Sequence, residues 1–158
     1  MVDIDSTSGS PHQRLQSYGF ELPTVSRSSP YDSHRVMGSS VHVSGQLPYR
    51  DGVLLGTGAL GREVNVESAR GLARQAVVNA LAVAADALGG LEHVRIAQML
   101  VFVASTPDFG GQSTVADAAS ELLVEVLGEN GRHARTAIGV ASLPRNSPVE
   151  IQLVCGPA

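Results

Sequence analysis

The chain has 158 residues, of which 43% are hydrophobic and 16% charged, a composition typical of one compact domain and not of a disordered chain. Its net charge of −4 excludes the strongly basic surface by which dedicated nucleic-acid-binding proteins contact phosphates. All eleven basic residues are arginines, which excludes catalysis through a lysine Schiff base or a P-loop lysine.

The N-terminal part of the chain is predicted to differ from the rest. Residues 1–28 are rich in serine, proline and charge, and they are predicted to form an N-terminal tail that is partly mobile. Within this tail the apolar side chains of segment 14–26 predict docking on the domain, which is expected to span 29–158. Short strands are predicted at 35–38 and 40–45. A glycine-rich excursion over 46–61, with a small strand near 53–55, follows them.

Two helices and three strands are predicted in the remainder. Apolar spacing predicts a helix over 66–88, capped by Asn65 and ended by Gly89-Gly90. A second helix is predicted over about 114–127, where Thr114 and Asp117 resemble a capping box. The run VRIAQMLVFVA, residues 94–104, predicts a central strand buried on both faces. The last two strands are predicted at about 136–142 and 149–155.

This order of elements predicts an α+β fold with a single mixed β-sheet and two helices packed on one face. The strands are rich in alanine, glycine and valine and carry few charges. We therefore expect another subunit to cover the second face of the sheet.

Cysteine and histidine usage bears on compartment and metal binding. The single cysteine, Cys155, has no partner for an internal disulfide and is predicted to be an unreactive thiol at the end of a strand. The chain shows no signal-peptide pattern and no apolar run of the ~18 residues that a membrane span needs. We therefore expect a cytoplasmic protein without membrane contact. The histidines are predicted to be structural or surface residues and not metal ligands. They are His12, His34, His42, His93 and His133.

Arg135 stands near the start of a strand of small and apolar residues. Arginine is rarely buried without a partner. Either Arg135 is a rim charge or part of a structural ion pair, for instance with Glu150, or an anionic ligand meets it.

Two blocks of the sequence resemble the Rid/YjgF family, also called the endoribonuclease L-PSP family. Residues 135–154 keep the Arg-Thr, Leu-Pro and Val-Glu-Ile of its C-terminal signature, and residues 30–48 keep its Pro-Tyr and Ser-Gly-Gln-x-Pro block, both without gaps. The resemblance covers 29–156, and residues 122–144 look like a less-characterised branch. It implies a YjgF-like, chorismate-mutase-like α+β domain assembled as a homotrimer around a central barrel, with clefts between subunits.

The resemblance also implies an activity and a set of site residues. The best-known family members are imine deaminases, hydrolases that convert enamine and imine acids such as 2-aminoacrylate to 2-oxo acids and ammonia without a metal or cofactor. Arg135 corresponds to the arginine that holds the substrate carboxylate, a group that guanidinium binds bidentately. Glu150 and Tyr31 correspond to catalytic positions, the glutamate as a residue that positions water. Gly45 and Ala137 correspond to positions whose backbone lines the substrate pocket.

Departures from the family pattern keep alternatives open. Ser29 and Ser33 replace a glycine and a glutamine, and the loop over 107–114 is longer, with Ala116 or Asp117 near the position of a family asparagine. A non-catalytic trimer that binds a small carboxylate as a sensor or regulator is therefore the alternative to an enzyme. A ribonuclease is disfavoured by the net charge and by the lack of lysine. A chorismate-mutase-like activity would rest on fold analogy alone.

Overall fold

The computed structural model describes residues 9–27 and 30–158. The predicted mobility of residues 1–8 and the substitution at Ser29 lie outside these ranges. The helices are α1 (Pro11–Ser17), α2 (Val66–Leu88) and α3 (Gln112–Leu127). The strands are β1 (His34–Met37), β2 (Ser40–Val43), β3 (Tyr49–Arg50), β4 (Val53–Leu54), β5 (Val94–Ala104), β6 (Ala134–Val140) and β7 (Val149–Pro157).

One mixed sheet organises the molecule, in the strand order β1-β2-β7-β5-β6. Strand β6 lies parallel to β5, and every other pair in this sheet is antiparallel. Helices α2 and α3 pack against each other and against the sheet. Strands β3 and β4 form a separate two-stranded ribbon. The predicted α+β fold, with a mixed sheet and two main helices, is confirmed.

The two faces of the sheet differ in burial. We call the side that packs on α2 and α3 the helix face, and it carries buried side chains such as Met99, Ile151 and Leu153. We call the opposite side the open face. It carries Leu100 and Phe102, which stay partly exposed. The prediction that β5 is buried on both faces is wrong for the single chain, because no element within residues 9–27 and 30–158 covers the open face.

The ends of the two long helices test the predicted caps. Asn65 caps α2 by accepting a 2.8 Å bond from the Ser68 amide, and Gly89 ends the helix at φ 81°. Helix α3 begins at Gln112, two residues before the predicted start, and no side chain caps it. The predicted capping box of Thr114 and Asp117 is therefore wrong. Asp117 lies beyond the first turn, where its carboxylate faces a side chain of the sheet.

The N-terminal segment packs on this core. Ser10 forms a capping box with Gln13 at the start of α1. Leu15 is 0% exposed, and Arg14 Nε donates a 2.8 Å bond to the Val126 carbonyl of α3. Three further apolar side chains of the segment pack against the core, those of Phe20, Leu22 and Val25.

A buried polar network attaches the glycine-rich excursion to α2. Asn79 Nδ2 donates to the carbonyls of Leu47 and Tyr49 at 2.8 and 2.9 Å. Asn79 Oδ1 accepts from Gln75 Nε2, and Gln75 Oε1 in turn accepts two bonds from the Arg50 guanidinium. Each buried polar side-chain atom of this network has a partner, which is what a buried polar group needs.

Replacing Asn79 by alanine is expected to lower the free energy of unfolding by about 2–3 kcal/mol. The substitution leaves two carbonyls and the Gln75 amide without their buried partner, and each loss costs about 1–3 kcal/mol before relaxation. Urea unfolding measures the change. The matched control is Asp86→Asn on the exposed side of the same helix. An Asn79→Ala protein as stable as the control would contradict the structural role of the network.

No helix in the described ranges is long and apolar enough to cross a membrane.

Candidate functional site

Arg135 lies at the outer edge of the sheet, on the helix face. It is in register with Met99 of β5, and β6 is the last strand of the sheet. Its Nη1 donates to Asp117 Oδ1 at 2.8 Å and to Ser120 Oγ at 3.1 Å, and its side chain is 24% exposed. The partner of Arg135 within the chain is therefore Asp117 and not Glu150. Its Nε and Nη2 have no acceptor among the described residues.

Two further side chains extend this cluster. Asp117 and Ser120 lie three residues apart on α3, a spacing that places both on one face of a helix. His133, two residues before Arg135, has Nε2 3.0 Å from Ser120 Oγ and Nδ1 2.7 Å from the Gly131 carbonyl. A cavity of about 250 Å³ opens beside them, and its lining includes Ser120, His133 and Arg135. We call Asp117, Ser120, His133 and Arg135 the arginine half-site.

Glu150 belongs to a different region. It is in register with Phe102, which places it on the open face. Its carboxylate lies over Gly45, where a Cβ atom would be 1.9 Å from Oε1, so a larger residue at 45 would displace the carboxylate. Two backbone bonds between Gln46 and Ile151, of 2.8 and 3.0 Å, hold the strands together there. Burial raises the pKa of the Glu150 carboxyl, which has no hydrogen-bonded or ionic partner in the described part of the chain.

Tyr31 joins Gly45 at a second cavity. Tyr31, Ser33 and Gly45 line a space of about 470 Å³, and residues 23–26 form part of its wall. Ser44 Oγ donates a 2.7 Å bond to the Asp32 carbonyl. This bond holds the segment that carries Tyr31 next to Gly45. The Tyr31 side chain is exposed. We call Tyr31, Gly45 and Glu150 the glutamate half-site.

The structure brings the predicted site residues together in two groups and not in one. Ala137 follows Arg135 on the helix face of β6 and packs against the core. Arg135 and Glu150 flank β5 on opposite sides, in register with Met99 and Phe102. Strand spacing and rise then place their Cα atoms about 14 Å apart, with side chains on opposite faces. One small molecule cannot contact both side chains of the same chain.

Sequence reasoning missed Ser120 and His133 as site residues. Spacing points to both: His133 lies two residues before Arg135, just ahead of β6, and 117 and 120 share one face of a helix. The sequence does not show that α3 packs over β6, and this packing is what brings the two pairs together.

Metal and thiol chemistry find no support in the described ranges. No group of three or more histidine, cysteine, aspartate or glutamate side chains is placed to hold a metal ion there. Cys155 is buried within β7, and burial raises the pKa of its thiol to about 11. The thiol is therefore protonated at neutral pH, as expected for an unreactive cysteine.

Replacing Glu150 by glutamine is expected to raise stability at pH 7. The folded-state pKa of Glu150 lies above the ordinary 4.5, so the folded chain binds this proton more tightly than the unfolded chain. The stability that this proton confers is complete below pH 4.5 and is lost as the pH rises through the folded-state pKa. Glutamine removes that loss.

Urea unfolding between pH 4 and pH 7 measures the effect. The pH dependence should be flatter in Glu150→Gln than in the wild type, whereas the exposed Glu21→Gln should behave as the wild type. A Glu150→Gln protein that is less stable than the wild type at pH 7 would show that the ionised carboxylate has a favourable partner.

The fold and the two half-sites define a class of protein: an α+β domain with helices on one face of its sheet and an arginine at the sheet edge. The sequence matches the profile of the family described as "YjgF/chorismate_mutase-like, putative endoribonuclease" over residues 12–155. The chain belongs to this YjgF family.

Individual relatives agree with this assignment. Protein TCP17 of Trypanosoma cruzi is 41% identical over 147 residues, which cover 91% of this chain and 92% of the relative. Atu1372, a protein of unknown function from Agrobacterium tumefaciens, is 41% identical to this chain in sequence. Its crystal structure matches with a TM-score of 0.88, covering 94% of this chain and 92% of that chain. The crystal structure of "a putative endoribonuclease" from Shewanella oneidensis is 32% identical, with a TM-score of 0.88 over 94% and 99% of the two chains.

Proposed function

We propose that the chain is an imine deaminase that hydrolyses reactive 2-imino and enamine acids to 2-oxo acids and ammonia, in clefts between the subunits of a homotrimer. The observation that carries this proposal is the separation of the half-sites. Arg135 and Glu150 lie on opposite faces of one sheet, so a site that uses both takes them from two neighbouring subunits.

The surface of the chain supports assembly. The open face presents partly exposed apolar side chains, and Ile138 is 44% exposed next to Phe102 on the same face. Met37, at the other edge of the sheet and on the same face, is 66% exposed. Apolar side chains that continue across a sheet mark a surface that another protein covers. In a closed trimer each subunit would present its edge strand β6 to the glutamate half-site of the next subunit.

The arginine half-site would hold the substrate. Nε and Nη2 of Arg135 form the edge of the guanidinium that is free to grip a carboxylate with two parallel bonds. Asp117 and Ser120 hold Nη1 and so fix the direction in which that edge points. Preorganised donors of this kind lose little entropy when the ligand binds.

The glutamate half-site would supply the water. The Glu150 carboxyl, whose pKa is raised by burial, orients a water molecule toward the C=N carbon. Addition of that water and transfer of its proton to the nitrogen give a carbinolamine. Its collapse releases ammonia and leaves the carbonyl of the 2-oxo acid. Tyr31 lines the neighbouring cavity together with Gly45, and its hydroxyl would donate to the substrate from there.

The test is ammonia and 2-oxo acid release from 2-aminoacrylate and longer 2-imino acids generated by a second enzyme in the same cuvette. The protein should accelerate release well beyond the spontaneous rate, and light scattering should give a trimer. Release at the spontaneous rate for every substrate would contradict the deaminase, and a monomer at working concentration would contradict the shared site.

One observation favours the alternative of a non-catalytic carboxylate-binding trimer. The Asp117 carboxylate lies 2.8 Å from Arg135 and neutralises part of its charge, a feature compatible with reversible binding of a small acid. A protein that binds 2-oxo acids in a calorimeter and yet leaves imine hydrolysis at the spontaneous rate would establish this sensor-like function.

A further inference from the structure

Ser120 and His133 form a hydrogen-bonded pair whose proton positions are fixed by their neighbours. The Gly131 carbonyl can only accept, so the proton of neutral His133 lies on Nδ1, 2.7 Å from that oxygen. Nε2 is then an acceptor, and it is 3.0 Å from Ser120 Oγ. The Ser120 hydroxyl therefore donates its hydrogen to His133, and its oxygen accepts the bond from Arg135 Nη1 at 3.1 Å.

This is the arrangement of an activated nucleophile: a hydroxyl bonded to a base that is itself oriented by a third group. The Arg135 guanidinium next to Oγ favours the negative charge that develops when the hydroxyl loses its proton. Ser120 lines the 250 Å³ cavity beside Arg132, His133 and Arg135 and is therefore open to a small molecule.

We propose that Ser120 is a catalytic nucleophile with His133 as its base, and that this pair accepts acyl groups from small esters that carry a negative charge. This reaction differs from imine hydrolysis: it shares Arg135 with the proposed imine site but does not depend on the glutamate half-site. Nor does it depend on assembly, since all of its residues belong to one chain.

The acyl transfer balances with these groups alone. Ser120 Oγ attacks the ester carbonyl carbon, and the hydroxyl proton passes to His133 Nε2. The oxyanion of the tetrahedral intermediate faces Arg135, whose Nη2 is a free donor among the described residues. The C–O bond to the leaving group breaks, and that oxygen takes the proton from His133. Water, deprotonated by His133, then releases the acid and restores Ser120.

The preference for a charged ester follows from the lining of the cavity. Arg132 and Arg135 both border it. Arg132 donates to Glu129 at 2.9 Å, but both side chains are mostly exposed, and exposed ion pairs contribute little. Arg132 can therefore turn toward a carboxylate on the acyl group.

The experiment is acylation by mono-(4-nitrophenyl) succinate and by 4-nitrophenyl acetate, followed by nitrophenolate release and by peptide mass mapping. We expect a succinyl group on Ser120 and faster acylation by the succinate ester than by the acetate ester. His133→Gln, which keeps Ser120, should slow acylation by about 100-fold, the lower range for removal of a general base. The Ser113→Ala control, on the exposed first turn of the same helix, should react as the wild type.

Several outcomes would overturn the proposal. A wild-type protein that releases nitrophenolate only at the spontaneous rate and carries no acyl group on Ser120 would do so whatever the variants show, so the test survives a variant that fails to fold. Acylation of His133→Gln at the wild-type rate would show that the pair is structural and only joins α3 to β6. Equal rates for the two esters would contradict the role assigned to the arginines. None of these outcomes bears on imine hydrolysis, which is measured separately.

Discussion

Replacing Arg135 by alanine is expected to lower kcat/KM for 2-imino acid hydrolysis at least ~100-fold. Two charge-assisted bonds to the substrate carboxylate are lost, and each contributes about 1.5–3 kcal/mol. A loss of about 3 kcal/mol in transition-state binding already corresponds to ~100-fold. Asp117 would also lose its partner, and its unpaired carboxylate would repel the substrate. The measurement is initial-rate ammonia release over a range of imine supply.

Controls separate this role from a general loss of structure. Arg145→Ala, at an exposed position in the turn between β6 and β7, should retain full activity. Arg135→Lys keeps the charge but not the planar pair of donors, so it should fall between the wild type and alanine. An Arg135→Ala protein with wild-type kcat/KM would show that Arg135 does not bind the substrate. Its role would then be structural, as the ion-pair partner of Asp117.

Mixing two inactive variants is expected to restore activity if the site is shared between subunits. Arg135→Ala and Glu150→Gln should each be inactive alone, because every cleft of a uniform trimer then lacks one group. After unfolding and joint refolding at equal concentrations, about one quarter of the clefts would combine an intact Arg135 with an intact Glu150. The mixture should therefore show about one quarter of the wild-type rate.

The double variant is the matched control for this experiment. Arg135→Ala/Glu150→Gln refolded with an equal amount of wild type should also leave about one quarter of the clefts intact, whereas the double variant alone should be inactive. If the mixed single variants stay inactive while this control recovers, the two residues act within one chain or not in one reaction. Since the two side chains lie on opposite faces of one sheet, any activity would then have to come from the two half-sites acting separately.

The sequence predicted the fold well because its elements have strong local patterns. Apolar spacing and the caps at Asn65 and Gly89 set the bounds of α2, which the structure reproduces. Alternation along 149–155 placed Glu150 on the less buried face of β7. The start of α3 was misplaced because Gly111 provides no side-chain cap for a sequence to show. The burial of β5 was overestimated because an apolar run does not reveal whether its cover belongs to the same chain.

The sequence named candidate site residues but did not show how their side chains are arranged in space. Register between strands decides which side chains share a face, and the pairings Met99–Arg135 and Phe102–Glu150 come from tertiary structure. The partner of Arg135 illustrates the same limit. Asp117 lies eighteen residues before it in the chain and reaches it only because α3 crosses over β6. The roles assigned to Tyr31, Gly45, Ala137, Arg135 and Glu150 stay predictions that the experiments above test.

The burial of Leu15 has a practical consequence for shortening the chain. A version that starts at residue 29 would keep both blocks of the family signature and yet lose a side chain that is 0% exposed against α3. Removal of a buried leucine typically costs about 2–5 kcal/mol, a large part of the 5–15 kcal/mol that stabilises a domain. The shortest version worth expressing therefore begins before Ser10, so that the capping box of α1 and its anchor on α3 are retained.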